Sequence, residues 1–333
     1  MKSIGIIGCG KSVPPKIVTN NDFVKLGLDT SDDWITDRTG IKERRIAGND
    51  TASSDLGFEA AKAALENAGL KPEDIDLIIV ATTSPDYQVF PSTACILQNK
   101  LGLRNVGAFD VSAACTGFNY ALTTAAQYII SGYAKNVLVI GVDCLSKYLN
   151  WKDRSTCVLF GDGAGAVILS DVKSGYGLMA SKLYADGSAE DILKVRAGGS
   201  RNPVSKERLD KNEQYIYMDG KAVFKVAISK VLKAIKDILK EADLESGDID
   251  HFIMHQANLR IIEYVREKLE LRPEQLVINL NKYGNTSAAS IPIALTEALA
   301  EGRVKDGDKL LFVGFGAGFT WGVNILRWGG RND

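Results

Sequence analysis

This chain has few histidines and cysteines, and its positive and negative charges are nearly balanced. Its 333 residues include two histidines and five cysteines, and 40 lysines and arginines face 41 aspartates and glutamates. The balanced charge excludes a globally basic nucleic-acid-binding protein, although it leaves room for a local basic patch. A composition near the globular average disfavours collagen, coiled coil and wholesale disorder. The length favours two domains, or one domain built from two halves.

The spacing of the cysteines and the lengths of the apolar runs indicate the cellular compartment of the protein. The cysteines are scattered without a C-x-x-C pair, which is typical of free thiols in a reducing compartment and not of a disulfide framework or a zinc site. The stretch 1–15 is too short and too glycine-rich for a signal peptide. No apolar run approaches the ~18–20 residues that span a bilayer. We expect a cytoplasmic protein with no membrane segment, metal site or nucleic-acid partner.

Short apolar runs alternate with amphipathic segments along the whole chain. Buried strands are predicted at 76–81, 137–141, 164–169 and 310–314, and helices at 54–68, 117–130 and 223–239. This alternation predicts an α/β fold with mostly parallel strands. The lysines on the outer face of helix 223–239 are typical of a solvated surface.

The chain also resembles itself at a long period. Segments 68–80 and 242–254 both end a helix, turn, and pass through Asp-Ile-Asp into an apolar strand. Later in each half another apolar strand ends in glycine, at Gly141 and Gly314. Such a repeat indicates duplication of one α/β unit, with a cleft where the copies meet. We place the two halves at 1–172 and 173–333.

Residues 5–12 satisfy the phosphate-loop pattern G-x-x-x-x-G-K-[ST]. That loop needs a strand before it and a helix after it, whose N-terminal amides bind the phosphates. Here the isoleucines within the pattern look like the strand itself, and Pro14 and Pro15 prevent a following helix. A nucleotide triphosphatase is therefore a minor alternative.

Three segments carry residues suited to acyl chemistry. Cys115 follows an apolar run and precedes a helix, a junction that lowers a thiol pKa and exposes the sulfur. His255 ends an apolar strand, where it is well placed to face a cleft, whereas His251 lies inside that strand and looks structural. Asn285 begins a Gly-Asn-Thr-Ser turn before another helix. Each segment alone also fits an ordinary structural role.

Together these segments resemble the β-ketoacyl-acyl-carrier-protein synthase III family, the initiating condensing enzymes of type II fatty-acid synthesis. The resemblance also includes TSDDWITDRTGI at 30–41, FGDGAGA at 160–166 and GFGAGFTWG at 314–322, and it covers 8–328. It implies a thiolase-like fold with two pseudo-symmetric halves in an αβαβα arrangement. Elongating relatives use Cys-His-His, so Asn285 favours the Cys-His-Asn group.

The resemblance implies the chemistry of the site. Cys115 would take the primer acyl group from acyl-CoA, and His255 and Asn285 would hold the enolate oxygen after malonyl-acyl-carrier protein loses carbon dioxide. The backbone N–H groups of Cys115 and Ala317 would form the oxyanion hole. No cofactor is implied, because acyl-CoA is a substrate.

The resemblance also implies the contacts with CoA. Trp34 and Arg154 would sandwich the adenine. Thr30 and Arg38 would contact the nucleotide and phosphates, and Asn258 the pantetheine.

The same resemblance implies which residues dock the carrier protein and which residue closes the acyl pocket. Arg260, with Lys225 and Lys268, would dock the acidic carrier protein. Phe90 would close the acyl pocket of the partner subunit in a homodimer. Lys221 stands where the family often has asparagine, so the resemblance gives no role for this position.

Other functions stay open from the sequence. A related Cys-His-Asn condensing enzyme could use another primer in secondary metabolism. A cysteine hydrolase could use the same cysteine and histidine, and a non-catalytic carrier-binding module would need none of the three residue types. Primer length and branching depend on a pocket that the sequence does not define.

Overall fold

A computed structural model describes residues 2–332 of the chain. The helices are α1 (Asn20–Lys25), α2 (Asp32–Thr39), α3 (Ser53–Ala68), α4 (Thr93–Lys100), α5 (Gly117–Ile130), α6 (Arg154–Cys157), α7 (Lys206–Asp210), α8 (Gly220–Glu241), α9 (Leu259–Lys268), α10 (Leu280–Tyr283) and α11 (Ser290–Ala300). The strands are β1 (Ser3–Ser12), β2 (Ile17–Thr19), β3 (Glu43–Arg45), β4 (Leu77–Ala81), β5 (Gly107–Val111), β6 (Val137–Asp143), β7 (Gly163–Val172), β8 (Gly177–Ala185), β9 (Leu193–Val195), β10 (Ile216–Met218), β11 (His251–Met254), β12 (Lys309–Gly316) and β13 (Thr320–Arg327).

The predicted helices form where the sequence places an apolar stripe between end signals. Helix α8 begins after Asp219, whose side chain accepts from the backbone N–H groups of Lys221 and Ala222. Its buried side chains recur at helical spacing, from Ala227 to Leu239. Helix α3 ends at Gly69, which has the left-handed φ of 61° that terminates many helices. The predicted helices are confirmed, with ends that extend by a few residues.

Two sheets repeat one strand order. The first sheet runs β1-β7-β6-β4-β5, and the second runs β8-β13-β12-β11 when read from β8. In both sheets the first two pairings along this order are antiparallel and the third is parallel. A parallel bridge between Phe252 and Leu276 stands in the second sheet where β5 stands in the first. This is the order that two copies of one unit would produce, and the division at residue 172 stays our prediction.

The expectation of mostly parallel strands is wrong. Within these two sheets, β4–β5, β4–β6 and β11–β12 are parallel, whereas β1–β7, β6–β7, β12–β13 and β8–β13 are antiparallel. Strands β12 and β13 are joined by only three residues, 317–319. So short a connection can only return the chain antiparallel.

The sheets and helices stack in five layers. Helix α5 packs on both sheets, against β4 and β6 on one side and β12 and β13 on the other. Helix α11 shares this central layer and contacts β7, β1 and β11. Helices α3 and α4 cover the outer face of the first sheet, and α8 covers that of the second. The arrangement confirms the predicted αβαβα fold, and the ends of β5, β11 and β12 meet at its centre.

No helix within residues 2–332 is both long enough and apolar enough to cross a membrane. The same residues hold no group of three histidine, cysteine or acidic side chains suited to binding a metal ion.

Candidate active site

Cys115 lies where the first sheet passes into the central layer. Strand β5 ends at Val111, a single 3-10 turn spans Ala114–Thr116, and α5 begins directly after it. Ala114 has a φ of 49°, a left-handed conformation that is costly for a residue with a side chain. The turn therefore holds Cys115 in a fixed, strained place at the predicted strand-to-helix junction.

The environment of the sulfur differs from the prediction. Cys115 is only 8% exposed, and burial raises the pKa of its thiol to about 12. The Cys115 backbone N–H and the Ser287 side chain oppose this shift, but desolvation exceeds them. The expectation of an exposed thiol with a lowered pKa is wrong, because the end of β12 covers the turn. A Cβ on Gly316 would lie 2.5 Å from the Cys115 backbone nitrogen.

His255 directly follows β11. Its backbone N–H donates to the Val313 carbonyl of β12 at 2.8 Å. Its Nδ1 lies 2.7 Å from Ser290 Oγ, and its ring meets the Phe315 ring edge-on at a centroid distance of 5.1 Å. Burial lowers the pKa of the imidazole to about 3, so the ring is neutral at physiological pH. The other histidine, His251, has its Nε2 3.0 Å from the Arg303 carbonyl.

Asn285 lies between α10 and α11. Its backbone N–H donates to the Leu159 carbonyl at 2.8 Å, and its own carbonyl accepts from the Gly161 N–H at 3.0 Å. Its side-chain Oδ1 accepts from the Ser287 N–H at 2.8 Å. Because Oδ1 is occupied in this way, the amide Nδ2 is the group left to face the cavity, as a hydrogen-bond donor.

The three predicted residues share one cavity. A cavity of about 500 Å³ is lined by Cys115, His255 and Asn285. A second cavity of about 620 Å³ meets the first at Cys115 and is also lined by Ala317 and Ser287. Cys115 thus borders two cavities, one shared with the histidine and asparagine and one that these two residues do not line.

Ala317 lies in the three-residue turn between β12 and β13, beside Cys115. The Thr320 hydroxyl ties this turn to the segment before Cys115, because its Oγ1 lies 2.9 Å from the Ala113 carbonyl and 3.2 Å from the Ala317 carbonyl. The two backbone N–H groups predicted for the oxyanion hole are therefore carried on turns that are bound to each other.

The residues predicted to contact CoA gather around Trp34. The guanidinium carbons of Arg38 and Arg154 lie 4.8 Å and 4.7 Å from its ring centroid. Arg154 also donates to the Asp29 backbone carbonyl and lies 3.3 Å from its carboxylate. Thr30 Oγ1 is buried and has no partner among residues 2–332. Trp34 and Arg38 line the 500 Å³ cavity.

Asn258 and Arg260 also line this cavity and join α9 to α2. Asn258 caps α9, since its side chain accepts from the Arg260 N–H at 2.9 Å, and its Nδ2 donates to the Arg38 carbonyl at 3.1 Å. The Arg260 guanidinium donates to the Asp37 carbonyl from two nitrogens, at 3.1 and 3.3 Å. Lys221, whose role the resemblance did not give, lines the same cavity at the start of α8.

The other predicted docking lysines lie on the outer surface of α8 and α9. Lys225 lines a groove between these helices together with Tyr264. The Lys268 ammonium lies 5.7 Å from the Tyr264 ring centroid. Lys225 and Lys268 are therefore both located at Tyr264, on the outer surface of α8 and α9.

Phe90 is 79% exposed and does not line the 620 Å³ cavity, whereas its neighbours Tyr87 and Val89 do. All three side chains are exposed. Together they form an apolar cluster, Tyr87–Val89–Phe90, at the cavity edge.

Sequence reasoning missed the groups that orient the site. Ser290 contacts the His255 ring, Ser287 holds Asn285, and Phe315 packs on His255. Ser287 ends the Gly-Asn-Thr-Ser turn noted in the sequence, and Ser290 follows three residues later. The amino-acid sequence alone does not distinguish these serines from ordinary helix-capping residues.

A fold of two like halves, with a cysteine, a histidine and an asparagine around one cavity between them, is that of a condensing enzyme of the thiolase type. Comparisons with known proteins identify the family. Residues 109–187 match the family model 3-oxoacyl-[acyl-carrier-protein] synthase III, and residues 239–328 match its C-terminal counterpart. The chain belongs to the 3-oxoacyl-[acyl-carrier-protein] synthase III family and is a condensing enzyme.

Relatives cover the chain from end to end. A β-ketoacyl-[acyl-carrier-protein] synthase III of Caldanaerobacter subterraneus is 54% identical over 324 residues, which are 97% of each chain. The crystal structure of the Aquifex aeolicus 3-oxoacyl-[acyl-carrier-protein] synthase III is 48% identical with a TM-score of 0.90, covering 98% of this chain and 100% of that one. A priming β-ketosynthase of the R1128 polyketide pathway is 33% identical with a TM-score of 0.90, covering 99% and 98%.

Proposed function

We propose that the protein condenses an acyl-CoA primer with malonyl-acyl-carrier protein, through an acyl-enzyme on Cys115, and so initiates type II fatty-acid synthesis. The shared cavity of Cys115, His255 and Asn285 is the observation that carries this proposal. The products are a β-ketoacyl-acyl-carrier protein, carbon dioxide and free CoA.

In the first step the Cys115 sulfur attacks the thioester carbonyl of acyl-CoA. The Cys115 S–H proton passes to solvent, the carbon–sulfur bond to CoA breaks, and the departing CoA thiolate takes up one proton from solvent to leave as the thiol. The tetrahedral oxyanion accepts hydrogen bonds from the backbone N–H groups of Cys115 and Ala317. The acyl chain occupies the 620 Å³ cavity, which is lined by Cys115 but not by His255.

In the second step the malonyl thioester binds beside His255 and Asn285. Its terminal carbon–carbon bond breaks, carbon dioxide leaves, and the electron pair forms an enolate whose oxygen accepts from the imidazole N–H and from Asn285 Nδ2. The carbanion then attacks the acyl-enzyme, and the sulfur of Cys115 is released. Two neutral donors suit this step, because they stabilise an oxygen as it gains charge without a proton transfer.

CoA approaches this centre past Trp34. The Arg38–Trp34–Arg154 stack offers the adenine a flat, cationic surface. Because Arg154 lies against the Trp34 ring, an adenine bound between them requires Arg154 to move outward from Asp29. The Thr30 hydroxyl, which is buried without a partner among residues 2–332, would contact the nucleotide once it is uncovered. Asn258, which lines the same cavity as Trp34, would contact the pantetheine.

The acidic carrier protein docks on the basic surface formed by Arg260, Lys225 and Lys268. Arg260 lines the cavity mouth, and the two lysines border the adjacent α8–α9 groove. Positive charge in this place steers an acidic partner to the opening that leads to Cys115.

A homodimer completes the acyl pocket in this proposal. The Tyr87–Val89–Phe90 cluster leaves apolar side chains in solvent at the edge of the 620 Å³ cavity, which is typical of an interaction surface. Phe90 of one subunit would then reach the pocket of the partner.

Mass spectrometry tests the acyl-enzyme. After incubation with acyl-CoA, we expect the protein to gain the mass of one acyl group and Cys115→Ala to gain none. Cys95→Ala is the matched control, because Cys95 is an exposed thiol and would be the first to react in an unspecific acylation. An unchanged mass gain in Cys115→Ala would remove Cys115 from the nucleophile role.

A related enzyme of secondary metabolism is the second candidate. The chain is 33% identical to a polyketide priming synthase over nearly its whole length, and this likeness supports the second candidate. A panel of acyl-CoA primers with malonyl-acyl-carrier protein decides between the two, since preference for a short fatty-acid primer supports the first. In a separate assay without the malonyl donor, a long acyl-enzyme lifetime would argue against a hydrolase.

A further inference from the structure

Ser290 is a buried serine that touches the His255 ring. It is the first residue of α11 and is 2% exposed. Its Oγ lies 2.7 Å from His255 Nδ1 and 3.4 Å from the backbone nitrogen of Gln256. Ser290 thus connects the start of a central helix to the residues that leave β11.

The Gln256 backbone has little freedom to move. Its side-chain Nε2 donates to two backbone carbonyls and its Oε1 accepts from two backbone N–H groups, at distances of 2.7 to 3.2 Å. Gln256 is buried, so these bonds have no competition from solvent. Its backbone N–H is consequently held towards Ser290 Oγ.

Counting donors and acceptors decides where the proton lies between Ser290 and His255. A hydroxyl has one proton to donate and two lone pairs. If His255 Nδ1 carried the proton, Ser290 Oγ would accept from both Nδ1 and Gln256, and its own O–H would have no acceptor among its two contacts. A buried, unpaired donor is unfavourable. If Ser290 donates to Nδ1, all these groups are paired.

We propose that Ser290 is a positioning residue whose hydroxyl donates to His255 Nδ1 and fixes the imidazole in the Nε2–H tautomer. The proton then sits on the ring nitrogen away from Ser290, where it can donate into the cavity shared with Cys115. The chemical consequence rests on the proposed function: Nε2–H is the donor that the malonyl thioester oxygen needs while carbon dioxide leaves. In this role Ser290 fixes the tautomer of the ring and does not transfer a proton during the reaction.

Nuclear magnetic resonance of the whole protein with ¹⁵N-labelled histidine reads the tautomer directly. Only two rings contribute, and His251→Gln assigns them. We expect His255 to show a protonated Nε2 and an unprotonated Nδ1. In Ser290→Ala we expect Nδ1 protonation to appear. A wild-type ring protonated on Nδ1 would overturn the proposal.

The reaction gives a second readout. Ser290→Ala should lower malonyl decarboxylation about tenfold to a hundredfold, as loss of an orienting partner does in other sites, while acyl transfer to Cys115 stays near the wild-type rate. Ser290→Thr keeps the hydroxyl and should restore both tautomer and rate. Ser290→Cys, a near-isostere with a weak donor, should fall between, and serves if the alanine variant does not fold.

Thr296→Val is the matched control. Thr296 lies in the same helix, and its hydroxyl donates to the Pro292 carbonyl at 2.8 Å without touching His255. We expect this variant to leave the tautomer unchanged. If Ser290→Ala and Ser290→Cys both kept the wild-type tautomer and decarboxylation rate, the role of Ser290 would be disproved and the proposed function would be unaffected. Unimpaired decarboxylation in His255→Ala would instead contradict the proposed function, whatever the tautomer.

Discussion

At the scale of single residues, burial sets the protonation of both reactive groups. Desolvation disfavours the charged form, so it raises the pKa of the Cys115 thiol to about 12 and lowers that of the His255 imidazole to about 3. At neutral pH the protein therefore presents a protonated thiol and a neutral ring. The thiol must lose its proton as acyl-CoA binds, whereas the ring needs no titration to act as a donor.

These shifts predict different pH dependences for the reactivity of the Cys115 thiol and for malonyl decarboxylation. Below its pKa the Cys115 thiolate fraction rises about tenfold per pH unit, so alkylation of Cys115 by iodoacetamide should keep accelerating with pH. Decarboxylation should show no histidine titration between about pH 5 and 8, because His255 stays neutral above its lowered pKa. Rates measured across this range check both. A plateau of alkylation near pH 7 would mean that the amides at the α5 N-terminus outweigh desolvation.

His255 and Asn285 should affect the second half-reaction more than the first. We expect His255→Ala or Asn285→Ala to reduce malonyl decarboxylation by about 10²–10³-fold, the usual cost of losing one oxyanion donor. Separate assays of carbon dioxide release and of acyl transfer measure this split. If acyl transfer alone fell, these two side chains would not be the enolate donors.

At the scale of elements, the site depends on the close approach of β12 to the Cys115 turn. Gly316 ends β12, and a Cβ there would lie 2.5 Å from the Cys115 backbone nitrogen. A methyl group in this place must push the two turns apart, since the contact is with backbone. The same movement would separate the N–H groups of Cys115 and Ala317.

Gly316→Ala should therefore lower acyl transfer by about a hundredfold, the cost of a displacement near 1 Å at a reacting centre. Single-turnover acylation measures the rate. Gly247→Ala is the matched control, because a Cβ on Gly247 meets nothing within 4 Å. Equal rates in the two variants would mean that the approach of β12 does not set the oxyanion hole.

Helix α2 shows what the sequence could and could not specify at this scale. Ser31 caps it by accepting from the Trp34 N–H at 3.0 Å, and Gly40 ends it, as their residue types suggest. Arg38 reaches the Trp34 ring from the next turn of the same helix, whereas Arg154 comes from a distant part of the chain. The resemblance supplied the adenine role of Trp34 and Arg154, but not their direct contact in the structure.

At the scale of the whole molecule, two surfaces are uncovered in the single chain. They are the outer edge of strand β5 and the Tyr87–Val89–Phe90 cluster. Strand β5 is an edge strand of the first sheet, and an unpaired edge invites pairing with a second copy. The cluster lies at the rim of the 620 Å³ cavity. Both observations support the proposed homodimer.

Phe90→Asp should weaken that dimer and impair use of acyl-CoA. A charge placed in an apolar interface is left desolvated and unpaired. Sedimentation at several concentrations measures the shift towards monomer, and Leu26→Asp, at an exposed leucine outside the cluster, is the control. A wild-type protein that stays monomeric at every concentration would contradict the homodimer.

The local elements, the duplicated half-chain pattern and the residue types of the site follow from the order of the amino acids alone. Apolar periodicity and end signals depend on neighbours along the chain, so helices such as α3 and α8 could be read directly. The mixed strand directions, the burial of Cys115 and the contacts of Ser290 and Ser287 arise only when the chain has folded. These depend on desolvation and on hydrogen bonds between distant segments: β12 closes over Cys115, and α11 reaches back to His255.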